Sequence, residues 1–119
     1  MTSVILTVTI DCVDAESLSE FWCRVLGYAK IRRFTDAKGV EYIEVGGDRE
    51  PVLLFQPVPD AKSGKNRLHL DMAPAEGSLA DEVRRLVGLG ARLLVDDPEC
   101  PWTVLADPEG NEFCVLPRA

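Results

Sequence analysis

The sequence lacks the features that mark several large functional classes. It has no run of about 18 apolar residues, so no segment is suited to cross a bilayer as a helix. Its four cysteines (Cys12, Cys23, Cys100 and Cys114) form no CxxC pair, which leaves no zinc-knuckle or thioredoxin signature. Basic residues are scarce: 13 Lys and Arg stand against 20 Asp and Glu, and the formal charge of -7 repels phosphate backbones. Nucleic acid and membrane are therefore not expected partners, and a cationic or neutral small molecule suits the surface better. Gly64-Lys65 has no glycine-rich lead-in and is no phosphate loop. Met1–Ile10 carries no basic leader and alternates with period two, which predicts a strand and not a signal peptide. Reduced thiols in a cytoplasm follow as the expectation.

What is present is a chain of 119 residues, 46% hydrophobic and 28% charged, enough for one domain with its own core and unlike a disordered segment. Ser3–Cys12 reads as a strand. Asp14 is a helix N-cap residue for Ala15–Leu26, and Gly27 ends that helix. Leu18, Phe21, Trp22, Val25 and Leu26 recur at spacings of three and four and form its apolar stripe. Tyr28–Phe34, Val40–Val45 and Val52–Val58 read as strands, divided by the turn-formers Asp36–Gly39 and Gly46–Asp48.

Pro59–Lys65 is polar and rich in breakers, and the same order then repeats. Asn66–Met72 is a strand and Ser78–Leu89 a helix with Leu79, Val83, Leu86 and Val87 on one face, capped by Gly90. Strands follow at 91–95, 102–105 and 112–116, the last preceded by a turn at Asp107-Pro-Glu-Gly110. Module one thus covers about 1–58, the linker about 59–65 and module two about 66–119 of a single domain. A single ferredoxin-like α+β sandwich with extra strands is the alternative.

Alternation assigns faces. Val4, Leu6, Val8 and Ile10 oppose Ile5, Thr7, Thr9 and Asp11, while Leu68, Leu70 and Met72 oppose Arg67, His69 and Asp71. Leu53 and Phe55 oppose Val52, Leu54 and Gln56, and Phe113 and Val115 oppose Glu112 and Cys114. The apolar sides suit the helices. The polar sides hold the chain's one histidine, a thiol and several carboxylates, and either face water or, if the halves curl together, line a cup.

The segments Asp14-Ala-Glu-Ser-Leu-Ser-Glu-Phe-Trp22, Val25-Leu-Gly27, Asn66-Arg-Leu-His-Leu-Asp71 and Asp107-Pro-Glu-Gly-Asn-Glu-Phe113 resemble the glyoxalase/bleomycin-resistance/dioxygenase family, the vicinal oxygen chelate superfamily, in its short glyoxalase-like branch. The resemblance spans the chain. It implies an α+β fold of two βαβββ modules forming a cupped mixed β-sheet with helices on the convex side, homodimers in many members, and a ligand site within the cup. Metal-dependent members place ligands on the first and last strand of each module. Carried over, these positions are Thr7 or Thr9, Gln56, His69 and Cys114, with Glu112 two residues before Cys114 on the same face. Gln56 and Cys114 stand where glutamate is usual. No metal or other cofactor is expected from so depleted a set; were a divalent Zn, Ni, Mn or Fe present, His69, Gln56 and Glu112 would be its ligands.

The expected role is therefore metal-independent binding of a small molecule, possible guests including a cationic drug such as a bleomycin-like glycopeptide or a metabolite. Thr7, Thr9, Gln56, His69, Trp102, Glu112 and Cys114 are the expected contacts. The competing expectation is a lyase, isomerase or dioxygenase built on a metal or on His69 as general base, the best catalytic candidate. A third is an accessory subunit without a ligand. Trp102 suits either a wall that stacks a planar guest or the core, and Trp22 the core. Asp71 and Arg67 flank His69 on one face, where they either orient it or, the favoured expectation, pair together; Cys12 and Cys23 are expected to be buried, and Arg32-Arg33 and Arg84-Arg85 to be solvated.

Overall fold

The computed structural model describes residues 1–118. The chain folds as two compact units, Met1–Ala61 and the part from Lys62 onward, here called module one and module two. Module one runs β1 (Val8–Cys12), α1 (Ala15–Leu26), β2 (Ala29–Thr35), β3 (Glu41–Gly46) and β4 (Leu53–Pro57). Module two runs β5 (Asp71–Met72), α2 (Leu79–Leu89), β6 (Arg92–Val95), β7 (Thr103–Ala106) and β8 (Glu112–Val115).

Each module is α+β, and the two sheets have one plan. Strand orders are β1-β4-β3-β2 and β5-β8-β7-β6. The outer pairs β1/β4 and β5/β8 are parallel, and the other pairs are antiparallel. Even the irregularities correspond: β2 shifts register between Lys30 and Arg32, and β6 between Leu93 and Val95. The repeat read from sequence is thus a repeat of pairing, which disposes of the single ferredoxin-like sandwich.

In module one the core forms where α1 lies on β2, β3 and β4. Asp14 starts the helix by accepting the Ser17 amide at 3.1 Å, and Gly27 ends it at φ 70°, a conformation that costs other residues a Cβ clash. The expected stripe is buried at Leu18, Phe21, Trp22 and Val25, with Leu26 at its margin. Phe21 and Trp22 meet edge to face at 5.3 Å. Ser19, inside this face, is satisfied by donating to the Glu16 carbonyl at 3.0 Å. Opposite them Ile43, Val45, Leu53 and Phe55 are buried. In module two Leu86, Leu105, Phe113 and Val115 are the corresponding buried side chains.

Several expectations need correction. The strand predicted over Ser3–Cys12 begins only at Val8, and Val4, Ile5 and Leu6 are highly exposed. Alternation persists through them, but β4 starts at Leu53, the register partner of Val8, so the earlier residues have no strand beside them. The strand predicted over Asn66–Met72 shrinks to Asp71–Met72, and Leu68 is exposed instead of lying on an apolar face. Val87 on α2 and Leu93–Val95 on the edge strand β6 are also exposed. Trp102 precedes β7 and is 42% exposed, so it is not core. Cys23 is half-buried, whereas Cys12 is buried as expected.

Arg33 is more than a solvated charge. It pairs with Glu16 of α1 at 2.7 Å, and Lys30 reaches the same carboxylate at 2.7 Å, fastening β2 to the helix. Arg84 pairs with Asp81, and Arg85 with Glu82 at 2.8 Å, one turn apart along α2. Arg33 first and Lys30 second hold the Glu16 carboxyl at about 2, below its ordinary 4.5. A carboxyl depressed in the folded state stabilises above its unfolded value, and that contribution disappears as pH falls through the folded value. We expect the Tm difference between the wild type and Glu16→Gln to close as pH is lowered from about 5 to about 2. Exposure keeps the effect small at neutrality. A difference unchanged over that range in thermal scans would contradict the assignment.

Candidate functional site

The polar face of module two is arranged by the β5/β8 ladder. Asp71 and Cys114 are register partners, as are Met72 and Val115. The Cys114 amide donates to the Leu70 carbonyl at 2.9 Å, and the Leu116 amide to Met72 at 2.7 Å. Those bonds fix the backbone on both sides of Asp71. His69, two residues before Asp71, presents to the same face, and its Nε2 lies 3.2 Å from Asp71 Oδ1. The ligand atoms of His69, Asp71 and Cys114 all lie within 4.8 Å of one another. The expected Arg67–Asp71 pairing is replaced by the contact of Asp71 with His69.

Cys114 is half-buried, and its thiol is raised above the ordinary range, by burial first and then by the Asp71 charge and hydrogen bond. It is therefore a protonated thiol beside a carboxylate and not an activated nucleophile. The imidazole next to a carboxylate is the arrangement that orients a general base or a ligand.

Glu112, expected on this face, is committed elsewhere. Its carboxylate accepts the Asn66 amide at 3.1 Å and takes the Lys62 ammonium at 3.2 Å. The Asn66 amide, its own backbone amide and Lys62 hold its carboxyl below the usual range. The attachment continues through Asn66 Nδ2, which donates to Asn111 Oδ1 at 3.1 Å, and through Asn111 Nδ2, which donates to Asp107 Oδ2 at 2.9 Å. Asp107 is buried and its Oδ1 also accepts the amides of Glu109 at 2.9 Å and Asn111 at 3.0 Å. Gly110, at φ 89°, makes this turn possible. The Asp107–Asn111 motif thus builds the entry to β8 and anchors the linker's end to it. No pattern in the sequence paired Lys62 or Asn66 with Glu112.

In module one the corresponding pair is Asp11 and Gln56, again register partners. The Val58 amide donates to Cys12 at 2.7 Å, as Leu116 does to Met72. Counting back from these bonds makes Thr9, and not Thr7, the counterpart of His69. The two threonine hydroxyls lie 3.2 Å apart, and Gln56 is half-buried. Farther across this sheet Arg32 lies 4.4 Å over the Phe34 ring, which stacks on Tyr42 at 4.9 Å. Trp102 lies just before β7 and is 42% exposed.

The divalent metal implied by the resemblance is a poor match to these residues. Its expected positions carry a threonine hydroxyl, a neutral amide, one imidazole and one thiol, and the nearby Glu112 is already bonded to Asn66 and Lys62. Oxygen-preferring ions need charged carboxylates or several oxygens, which this set does not supply.

The family model described as glyoxalase-like domain matches residues 7–116. No curated protein matches in sequence. Among solved structures, a glyoxalase-related enzyme from Fulvimarina pelagi is 21% identical with TM-score 0.69, covering 98% of this chain and 89% of that one. The fosfomycin resistance protein FosX from Listeria monocytogenes, complexed with Mn(II) and sulfate, is 13% identical with TM-score 0.77 over 100% of this chain and 95% of its own. The trypanothione-dependent glyoxalase I of Leishmania major is 15% identical with TM-score 0.73, covering 98% and 87%. At these identities the likeness is one of fold. Among the described residues no helix is long and apolar enough to cross a membrane.

Proposed function

The chain belongs to the glyoxalase-like domain family, and on that footing we propose that it binds a small molecule without the divalent metal used by the family's enzymes. The observation that carries this reading is the pair of register counterparts: where module two has His69 and Cys114, module one has Thr9 and Gln56. Neutral hydroxyl and amide groups suit hydrogen bonding to an organic guest better than coordination of a hard ion. On module two the guest's contacts are His69 and Cys114, with Trp102 as an exposed aromatic available for stacking, and Thr7, Thr9 and Gln56 are the polar groups at the corresponding positions of module one. Glu112 contributes through the backbone that it holds. A cationic or neutral guest, a drug or metabolite held in sequestration, agrees with the net charge of -7.

The protein works as a homodimer in a reducing cytoplasm. Four free cysteines support the compartment, and the exposed Val4–Leu6 segment supports a partner. Light scattering on the purified chain measures the second point directly.

A second reading is favoured by the 3.2 Å contact of His69 with Asp71: an isomerase or lyase with His69 as general base. One experiment separates the two. Untagged, chelator-treated protein is screened by thermal shift against cationic and neutral metabolites. The binding reading expects a hit that survives chelation, is recovered unchanged, and is weakened at least tenfold in His69→Ala. Hits that disappear with chelator and return with Mn2+ would overturn metal independence, and turnover lost in His69→Ala would favour the enzyme.

A further inference from the structure

We infer that the free edge of β6 is the surface through which two copies of this chain pair, antiparallel about a two-fold axis at Leu94. The inference rests on the homodimer reading and assigns its contact; the exposed Val4–Leu6 segment is the competing location.

The edge comes first. β6 is the last strand in the order β5-β8-β7-β6 and has β7 on one side, so its other side presents backbone amides and carbonyls with no strand beside them among the described residues. All four of its residues are exposed, and three in a row are apolar: Leu93 is 44%, Leu94 41% and Val95 48% exposed. The corresponding edge of module one is guarded. There β2 carries Lys30, Arg32 and Arg33, which pair with Glu16, Glu44 and Glu41. Charges of this kind keep an edge from recruiting another strand, and β6 has none between Arg92 and Asp96.

The sequence of the strand then selects its partner. Arg92-Leu-Leu-Val-Asp96 is complementary in charge to its own reverse. Antiparallel pairing centred on Leu94 sets Arg92 opposite the partner's Asp96, Leu93 opposite the partner's Val95, and Leu94 opposite its own equivalent. Parallel pairing in register sets like charges against each other at both ends and is disfavoured. Among the described residues neither Arg92 nor Asp96 has an ion-pair partner within the chain, so both charges remain to be matched. The register shift of β6 lies between Leu93 and Val95, so it falls at the axis in both copies and leaves the charged pairs aligned. Both copies use the same patch, so the contact closes at two and does not propagate. Val4–Leu6 lacks these properties. It lies outside the strands, and its neighbours Thr2, Ser3 and Thr7 carry no charge to set a register.

The test is sedimentation equilibrium on the untagged chain over a range of concentrations. The wild type is expected to form a dimer that dissociates more readily as salt rises. Leu94→Lys puts a charge on the axis, and Arg92→Asp or Asp96→Arg turns two symmetry-related attractions into repulsions. Each should weaken association by about tenfold or more. All three positions are exposed, so these variants are expected to fold, and circular dichroism checks that they do. Arg92→Asp and Asp96→Arg, each weakened alone, should associate with one another on mixing at about the wild-type affinity, because the exchanged charges then meet opposite ones. Ile5→Lys should leave association unchanged. A wild type that stays monomeric overturns the homodimer reading and this inference together. A dimer indifferent to the β6 substitutions, or single variants that fail to recover on mixing, overturns the inference and leaves the homodimer reading standing.

Discussion

Trp22→Ala lowers stability by about 3–5 kcal/mol, the range for removing a large aromatic from a closed core. Trp22 is 1% exposed, its ring meets Phe21 edge to face, and it belongs to the helix face on which module one is built. Leu18, Val25, Ile43 and Phe55 of the same module's core are also buried, so the truncation leaves a cavity in packed surroundings. Against a total stability on the order of 5–15 kcal/mol, that loss brings the protein close to half unfolded or shifts Tm by on the order of 10–20 °C. The molecule supplies its own control in the other tryptophan. Trp102→Ala, at an exposed position outside the strands, should change stability by no more than about 0.5 kcal/mol. Urea midpoints for the two variants decide the matter, and equal midpoints would refute the core assignment.

Asp107→Ala is the second large effect, at about 2–4 kcal/mol. The carboxylate is 3% exposed and serves two backbone amides and the Asn111 side chain, all of which lose their acceptor together. Asp36→Ala is the instructive comparison. Asp36 makes the same turn, accepting the amides of Lys38 at 2.8 Å and Val40 at 3.1 Å, yet it is half-exposed and water can replace it. Its loss should cost about 1 kcal/mol. Asp107→Ala should also raise the amide exchange of Glu112–Val115, since β8 starts from this turn; exchange confined to Asp107–Asn111 would contradict the coupling.

Much of this architecture was legible in the residues, for identifiable reasons. Asp14 and Gly27 are side chains whose chemistry terminates a helix, so the bounds of α1 could be read without a partner. The two-module repeat rests on spacing of the same kind. Strand ends are different, because a strand is as long as its neighbour: Val4–Leu6 alternate correctly and still lie outside β1. On the polar faces, His69 and Cys114 were visible as unusual residue types at the right alternation. Asp71 was visible beside His69 on that face, but in sequence Arg67 was the favoured partner for it, and the folded chain chooses His69. The role of Glu112 was hidden for a related reason. Its partners Lys62 and Asn66 are about 50 positions away, and only the folded chain brings them to it.

The hold that Glu112 keeps on Lys62 has a practical corollary for dissecting the molecule. A fragment begun at Asn66, where the repeat pattern alone would cut, discards that ammonium and leaves an ionised carboxylate served only by amides at a fresh, mobile chain end. Starting instead at or before Lys62 preserves both contacts, so the choice of those few residues decides whether the isolated half retains an ordered beginning.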